Sequence, residues 1–382
     1  MKSEEWPAWL RRELAGCVSC GQCLPDCPIY GEDRREEASA RGKWNVLKWH
    51  LVSGGQPSPE AARLFFRCAL CLRCRESCPA GLDMLEVFAS VREWLYRLGL
   101  GPVPATLGRA RGAAARGRMA DVRRGRPRAA GATLPTLSPR PVGGASPAQA
   151  PAAGVRTGSV LLVTSPLERA FGRRNLDAAG KLLATAGHSP ASWAIRGPSP
   201  FRRWWIGDTG GARASLQPVL DAAAGRVVVF AEPELAWIAR RLADPAAGGD
   251  RPEIRDLWEL WPPTGVSVPD SGRPFIVWPP PVPLDANGWR DWNALWKTFA
   301  PDRCQPLPDA WRAWRAEGLA VACPDTARRL GRRLLEAVLA AGAPDLVFAS
   351  TRSWLWLRQV AAPGKLPACH SLASFLLAAR VR

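Results

Sequence analysis

Residues 17–28 have the sequence CVSCGQCLPDCP, and residues 68–79 have the sequence CALCLRCRESCP. Both stretches follow the pattern Cys-x2-Cys-x2-Cys-x3-Cys-Pro, and together they contain eight of the 11 cysteines in the chain. Three thiolates at this spacing bind three irons of one cubane, while the fourth, which precedes a proline, ligates the other cluster. The two stretches therefore predict two interlocked [4Fe–4S] clusters.

The expected ligands form two sets, and each set combines both stretches. The first cluster is assigned to Cys17, Cys20, Cys23 and Cys78. The second is assigned to Cys68, Cys71, Cys74 and Cys27. Zinc also accepts four thiolates, but two complete runs ending in Cys-Pro favour iron–sulfur clusters. A disulfide framework is typical of short secreted chains, and this chain is neither short nor marked for secretion.

Composition and hydrophobic periodicity divide the 382 residues into four parts. Residues 1–98 predict an all-helical ferredoxin-type domain with helices near 33–53, 58–66 and 82–98. Residues 99–157, rich in Arg, Ala, Gly and Pro, predict a disordered linker. Residues 158–265 and 266–382 each predict alternating strands and helices. The predicted fold is thus a helical two-cluster domain followed by two α/β repeats with parallel sheets, a possible duplication.

The α/β assignment depends on short apolar runs followed by helical stretches. Strands are predicted at 160–163, 226–230, 275–278, 319–322 and 345–349. Helices are predicted at 175–186, from 233 onward, at 326–341 and at 353–360.

The formal net charge of +18 is unevenly distributed. Half of the excess falls in residues 99–157, which hold ten Arg and one Asp. An Arg-rich stretch can bind an anionic partner or a membrane surface, although a solvated linker is the simpler interpretation. Because this stretch has no aromatic residue on which a base could stack, we expect no nucleic-acid partner.

No apolar run approaches the length of a transmembrane helix, and the N-terminus is acidic with no secretion signal. We therefore expect no transmembrane segment and a cytoplasmic location, with peripheral attachment to the inner face of a membrane left open.

No catalytic residue is identified in the sequence; the eight paired cysteines are expected to be cluster ligands. The three histidines, His50, His188 and His370, are expected to pack or to cap rather than to catalyse. The remaining cysteines, Cys304, Cys323 and Cys369, are far apart in sequence and are expected to be buried apolar residues. Paired clusters without an acid–base group predict an electron relay.

The motifs of the first hundred residues resemble those of a known family. The run Cys17 to Pro28, the tetrapeptide Ala40-Arg41-Gly42-Lys43 and the run Phe66 to Gly81 are similar to the iron–sulfur subunit of glycolate oxidase and lactate-utilisation complexes. They also resemble the corresponding iron–sulfur subunit of anaerobic glycerol-3-phosphate dehydrogenase and proteins of the heterodisulfide reductase type. The resemblance implies two α/β repeats, each with a Cys-Cys-Gly element and a further C-x2-C at a strand end.

The second half departs from that pattern. It contains no Cys-Cys pair, Thr164-Ser165 stands where a strand-end cysteine is expected, and residues 350–353 offer hydroxyls. A hydroxyl is a poor ligand for a soft metal beside a thiolate. The repeats are therefore expected to be degenerate and to serve as a docking or structural platform.

The resemblance implies an iron–sulfur subunit of a flavin-dependent dehydrogenase acting on 2-hydroxy acids such as glycolate or lactate. Its electrons would come from a flavoprotein subunit, since the chain has no dinucleotide-binding glycine motif, and would leave to a quinone, a membrane acceptor or a second carrier. The alternative is a subunit of the heterodisulfide reductase or glycerol-3-phosphate dehydrogenase type, with a quinone or thiol acceptor.

Overall fold

The computed structural model describes twelve parts of the chain. They are residues 6–102, 160–223, 225–243, 252–257, 259, 274–281, 302–305, 307–308, 311, 315–342, 344–361 and 366–377. The predicted linker lies outside them from residue 103 onward. These residues belong to two compact units. Unit 1 comprises Met1–Arg109, Trp205–Asp208 and Pro308–Leu334, and unit 2 comprises Ala110–Trp204, Thr209–Leu307 and Leu335–Arg382.

The N-terminal part of unit 1 is helical, as predicted. Its helices are α1 (Ala8–Gly16), α2 (Pro28–Asp33), α3 (Ala40–Ser53), α4 (Pro59–Phe66), α5 (Arg73–Glu76) and α6 (Met84–Arg97). The hydroxyls of Ser39 and Ser58 and the carboxylate of Asp83 accept a backbone N–H at the start of α3, α4 and α6. Each cap satisfies one of the donors that a helix N-terminus leaves unpaired.

Two sheets with the same strand order form unit 2. The first sheet contains β1 (Val160–Thr164), β2 (Ala191–Ala194), β3 (Val227–Phe230) and β4 (Glu253–Asp256) in the order β2-β1-β3-β4. The second contains β5 (Phe275–Trp278), β6 (Cys304–Gln305), β7 (Asp345–Phe348) and β8 (Cys369–Ser371) in the order β6-β5-β7-β8. All six pairings are parallel. The shared order supports the predicted duplication.

Helices separate these strands along the chain. They are α7 (Pro166–Phe171), α8 (Arg173–Thr185), α9 (Pro200–Trp205), α10 (Thr209–Ala222), α11 (Pro233–Leu242), α12 (Pro324–Ala340), α13 (Thr351–Val360) and α14 (Leu372–Leu377). Among the described residues, one hydrophobic cluster includes both sheets of unit 2: Leu162 and Val229 of the first pack in it with Val277 and Val347 of the second. No helix among the described residues is both long and apolar enough to traverse a bilayer.

Most of the predicted elements are present, but the helix expected near 33–53 begins only at Ala40, and one predicted strand is wrong. Residues 319–322 were expected to form a strand, but Leu319–Val321 form a 3-10 helix. The apolar run is too short to distinguish the two, and the Cys323 and Ala322 N–H groups bond back to Leu319 O. The two strands that pair with β5 are β7 and β6, and β6 lies at Cys304–Gln305.

Candidate metal centre

Unit 1 contains two neighbouring cavities, and each is lined by four of the predicted cysteine ligands. Cys17, Cys20, Cys23 and Cys78 line the first cavity. Cys27, Cys68, Cys71 and Cys74 line the second. The structure thus brings together the two predicted sets of cysteines. Each stretch contributes its first three cysteines to one cavity and its fourth cysteine to the other. That these eight thiolates bind iron in these sets remains a prediction.

The two cysteine loops share an unusual backbone. Ser19 and Gly21 flank the second cysteine of the first loop, and both have positive φ, at 57° and 84°. Leu70 and Leu72 hold the same places in the second loop, with φ of 49° and 59°. Left-handed residues on both sides of a cysteine turn the chain tightly around that side chain. For a leucine this conformation is strained, and it persists only where surrounding contacts impose it.

Gly21 is a position of the first loop where a side chain would meet an obstacle. A Cβ built there would lie 2.7 Å from Nη1 of Arg41. Arg41 in turn donates from Nε to Glu36, at 2.7 Å, and from Nη1 to the carbonyl oxygen of Ser19, at 3.4 Å. Glycine at position 21 therefore leaves room for Arg41 of α3 to contact the loop.

Asp26 joins the two loops just before their fourth cysteines. Its Oδ1 lies 3.0 Å from Nη2 of Arg73, and its Oδ2 accepts a hydrogen bond from the Ser77 hydroxyl. Asp26 precedes Cys27 and Ser77 precedes Cys78, so one carboxylate fixes the two residues that connect the cavities. Both partners of the ion pair are less than one-third exposed, so water screens them only in part.

Replacing Asp26 with alanine is therefore expected to loosen both cavities at once. Loss of a charged hydrogen-bond partner costs roughly 1.5 kcal/mol, about tenfold in an equilibrium. We expect iron to be released to a chelator about tenfold faster from both sites. The control is Glu60→Ala, which removes an exposed partner of Arg63. Equal release rates for wild type and Asp26→Ala would contradict the bracing role.

The two cavities differ in exposure. Cys20 is exposed, and Val18 beside it is 78 % exposed. The second cavity is lined by Leu70, Leu72 and Phe88, all of which are buried. Buried apolar side chains also line the first cavity, among them Trp44 and Met84. The cavities therefore differ at Cys20, where the first one is open to solvent.

Burial also changes the acidity of the thiols. It raises the pKa of Cys71 to about 12 and that of Cys74 well above its ordinary value. Burial is also the main reason that the pKa values of Cys23 and Cys27 are raised. Because only the thiolate binds iron, metal binding must displace these protons.

Two buried cations lie near the second cavity. Lys43, 1 % exposed, is part of its lining and donates to the carbonyl oxygens of Ala38 and Ser39. Arg92, also 1 % exposed, donates to the carbonyl oxygens of Phe65 and Cys68, at 2.9 and 2.7 Å. Burial lowers the pKa of Arg92 to about 10, so its guanidinium stays charged at neutral pH. Neither residue was singled out from the sequence as a site residue.

Within the described residues, no three His, Cys, Asp or Glu side chains are arranged to hold a single metal ion. A cubane makes a different demand, since its four thiolates bind four different irons. Four cysteines spread around one cavity meet that demand. The residues present therefore fit the predicted clusters.

The strand ends of unit 2 carry hydroxyls that bond to buried glutamates. Ser165 follows β1 and donates to Oε1 of Glu232, while Ser350 follows β7 and donates to Oε1 of Glu234 at 2.7 Å. The same two hydroxyls cap α7 and α13. At the positions where the resemblance implies cysteines, the serine hydroxyls therefore form hydrogen bonds within the protein.

Glu168 and Arg352 complete this buried polar cluster, which sequence reasoning missed. Arg352 lies 3.3 Å from Glu232 and 3.4 Å from Glu234. Glu168 is fully buried and accepts from Asn175 at 3.3 Å. Desolvation and the neighbouring Glu232 raise the pKa of Glu168 far above its usual range, and the same causes raise that of Glu234 to about 8. The only signal in the sequence was their position next to predicted strand ends.

The histidines and the other cysteines lie apart from the cavities' linings. His50 is buried with Nδ1 3.2 Å from the carbonyl oxygen of Gly55, and His370 lies 3.6 Å from Asp345. Cys304 is buried, as expected, whereas Cys323 and Cys369 are only partly buried. These contacts agree with structural roles.

Residues 13–82 match the family described as the 4Fe-4S dicluster domain. This segment contains all eight cysteines that line the two cavities. Residues 13–82 are thus an iron–sulfur domain of the 4Fe-4S kind, as the spacing of the cysteines predicted.

Among curated proteins, the chain is similar to the probable glycolate oxidase iron–sulfur subunit of Bacillus subtilis, with 32 % identity over 88 residues. It is also similar to one of the subunits of the dihydromethanophenazine:CoB–CoM heterodisulfide reductase of Methanosarcina barkeri, with 29 % identity over 107 residues. The first match covers 22 % of this chain and 19 % of the relative, and the second covers 24 % and 26 %. No solved structure matches the chain significantly.

Proposed function

We propose that this chain is the electron-transfer subunit of a flavin-dependent 2-hydroxy-acid dehydrogenase complex and that it holds two [4Fe–4S] clusters. The observation that carries the proposal is the pair of cavities, each lined by four cysteines drawn from both loops. The similarity to a probable glycolate oxidase iron–sulfur subunit supports the choice of complex.

The clusters, when bound, would accept and release single electrons. The chain's own residues position the thiolates and control access. The left-handed turns at Leu70 and Leu72 direct Cys71 inward, and buried apolar side chains line the second site and limit its contact with water. The exposed loop around Cys20 and Val18 gives an external partner access to the first site. Electrons would thus enter or leave at the first site.

In this complex, a flavoprotein subunit would oxidise the substrate and supply the electrons. The final acceptor would be a quinone at a membrane or a second carrier. At the strand ends where the resemblance implies cysteines, unit 2 has Ser165 and Ser350, which bond to buried glutamates and offer no thiol for disulfide chemistry. Unit 2 would therefore serve as a structural or docking platform.

The similarity to a heterodisulfide reductase subunit favours a second candidate, a protein that passes electrons to a thiol or disulfide acceptor. The two candidates differ in the compounds that exchange electrons with the clusters.

The test uses the full chain, purified anaerobically from its own host together with bound partners. We expect a flavoprotein to accompany it, and glycolate or lactate to bleach the cluster absorption of the complex but not of the isolated chain. Bleaching by glycerol 3-phosphate, or reoxidation of the reduced clusters by a heterodisulfide and not by a quinone, would overturn the proposal in favour of the alternative. Failure of every 2-hydroxy acid with a flavin-loaded complex would also overturn it.

A further inference from the structure

Lys43 and Arg92 place two positive charges inside the protein next to the second cysteine cavity. Each side chain is 1 % exposed. Among the described residues, neither forms an ion pair with a carboxylate, and both donate their hydrogen bonds to backbone carbonyl oxygens. A buried charge is costly unless an opposite charge compensates it. Their burial therefore indicates a negative group nearby.

The contacts of Arg92 place its charge beside Cys68, one of the predicted ligands of the second site. The guanidinium Nη2 lies 2.7 Å from the carbonyl oxygen of Cys68, a predicted ligand. The ring of Trp205 packs on the guanidinium, with 4.8 Å between its centroid and Cζ. Four hydrogen bonds, to the carbonyls of Phe65, Cys68 and Trp205, fix the orientation of the charge. Arg92 therefore cannot move away to reach water.

Lys43 approaches the same cavity from another helix. It lies in α3, lines the cavity together with Cys27, and bonds to the carbonyls that precede α3. Arg92 lies in α6. The two cations therefore approach one set of thiolates from two different elements.

The cations near the first cavity are paired with a carboxylate or partly exposed to solvent. Arg41 contacts its loop but is paired with Glu36, and its side chain is 26 % exposed. Lys48 donates to the carbonyl oxygen of Cys17 and is only partly buried. Paired or hydrated charges act weakly on their surroundings, because an opposite charge or water cancels much of their field.

We propose that Lys43 and Arg92 are positioning residues that raise the reduction potential of the second cluster and so keep this buried site reducible. The inference rests on the proposed presence of two clusters. Each added electron makes a four-thiolate cluster more negative, and an apolar enclosure disfavours that change. Fixed positive charges offset the penalty.

The test is a redox titration of the anaerobic full chain, followed by electron paramagnetic resonance, for wild type, Arg92→Met, Arg92→Lys and Lys43→Met. A unit charge within about 12 Å at an effective dielectric constant of about 20 changes an equilibrium roughly tenfold. At a fixed ambient potential, we expect the reduced-to-oxidised ratio of one cluster to fall at least tenfold in each methionine variant, which is about 59 mV for one electron. The ratio of the other cluster should stay nearly unchanged.

Arg92→Lys should keep most of the wild-type reduced-to-oxidised ratio, since it keeps the positive charge. The matched control is Arg97→Met, which removes an exposed charge from the same helix, paired with Glu93, and should move neither potential. Because Lys43→Met alters a different helix, the test survives a failure of Arg92→Met to fold.

Unchanged reduction potentials in both methionine variants would overturn the inference. So would a lower potential of one cluster in Arg92→Met and of the other cluster in Lys43→Met. A fall in Arg92→Lys as large as in Arg92→Met would show a packing effect and would also overturn it. Absence of clusters from wild-type protein would instead refute the proposed function.

Discussion

Alanine at both Cys27 and Cys71 is expected to leave one intact cubane with about four irons per chain. The two residues are far apart in sequence, yet both line the second cavity. Removing two of its four thiolates should abolish that cluster, while Cys17, Cys20, Cys23 and Cys78 remain to hold the other. Iron analysis and electron paramagnetic resonance of the reduced protein measure the result.

The companion variant replaces Cys20 and Cys27, which belong to the same loop but line different cavities. Each cluster then loses one ligand, and we expect neither an intact cubane signal nor full iron content. If each loop bound its own cluster, the two double variants would exchange their outcomes. An intact cubane in Cys20→Ala/Cys27→Ala and none in Cys27→Ala/Cys71→Ala would therefore contradict the interlocked assignment.

Glutamine at Glu168 is expected to stabilise unit 2 much more at pH 8 than at pH 5, where the gain is about 1 kcal/mol. Desolvation and the nearby Glu232 raise the pKa of Glu168 far above its usual range, so the folded state keeps the proton. The unfolded chain releases it above a pKa of about 4.3. Folding must then take up a proton, and the stability of wild type falls by up to about 1.4 kcal/mol per pH unit between that value and the folded-state pKa.

Glu232 and Glu234 act on Glu168, and Arg352 is paired with both of them. All three charged groups remain in the variant. The pKa of Glu234 is raised to about 8, so this group also lowers the stability of the folded state as the pH rises. Part of the pH dependence should therefore persist in the variant.

Hydrogen exchange of the β1 and β3 amides, compared between variant and wild type at each pH, isolates the stability of unit 2. The control is Glu253→Gln, which removes an exposed carboxylate paired with Arg255 and should leave the pH dependence unchanged. Equal loss of protection at pH 5 and pH 8 in Glu168→Gln would contradict the buried proton.

The sequence predicted those elements whose burial is uniform. Val160–Thr164 and Phe275–Trp278 are buried along their whole length, and their apolar runs predicted strands. Ala191–Ala194 and Glu253–Asp256 were missed, because they are only partly buried and their composition is mixed. Hydrogen bonding to a neighbouring parallel strand, which the sequence does not display, defines these strands.

The candidate site shows the same division between local and distant information. Cysteine spacing is local, and it predicted which residues line the two cavities. The buried charges depend on packing between distant segments. Arg92 occupies the apolar face of α6, one turn after Phe88, and Lys43 lies on the buried face of α3 beside Trp44. A charged residue on an apolar helix face was the available signal, but nothing in the sequence indicated that both charges point to one site.

The most direct measurement is metal analysis of anaerobically purified full chain combined with electron paramagnetic resonance after reduction. Two interlocked cubanes predict about eight irons per chain, no zinc, and a signal broadened by two neighbouring paramagnets. Zinc in place of iron, or about four irons with the signal of a single isolated cubane, would contradict a two-cluster relay.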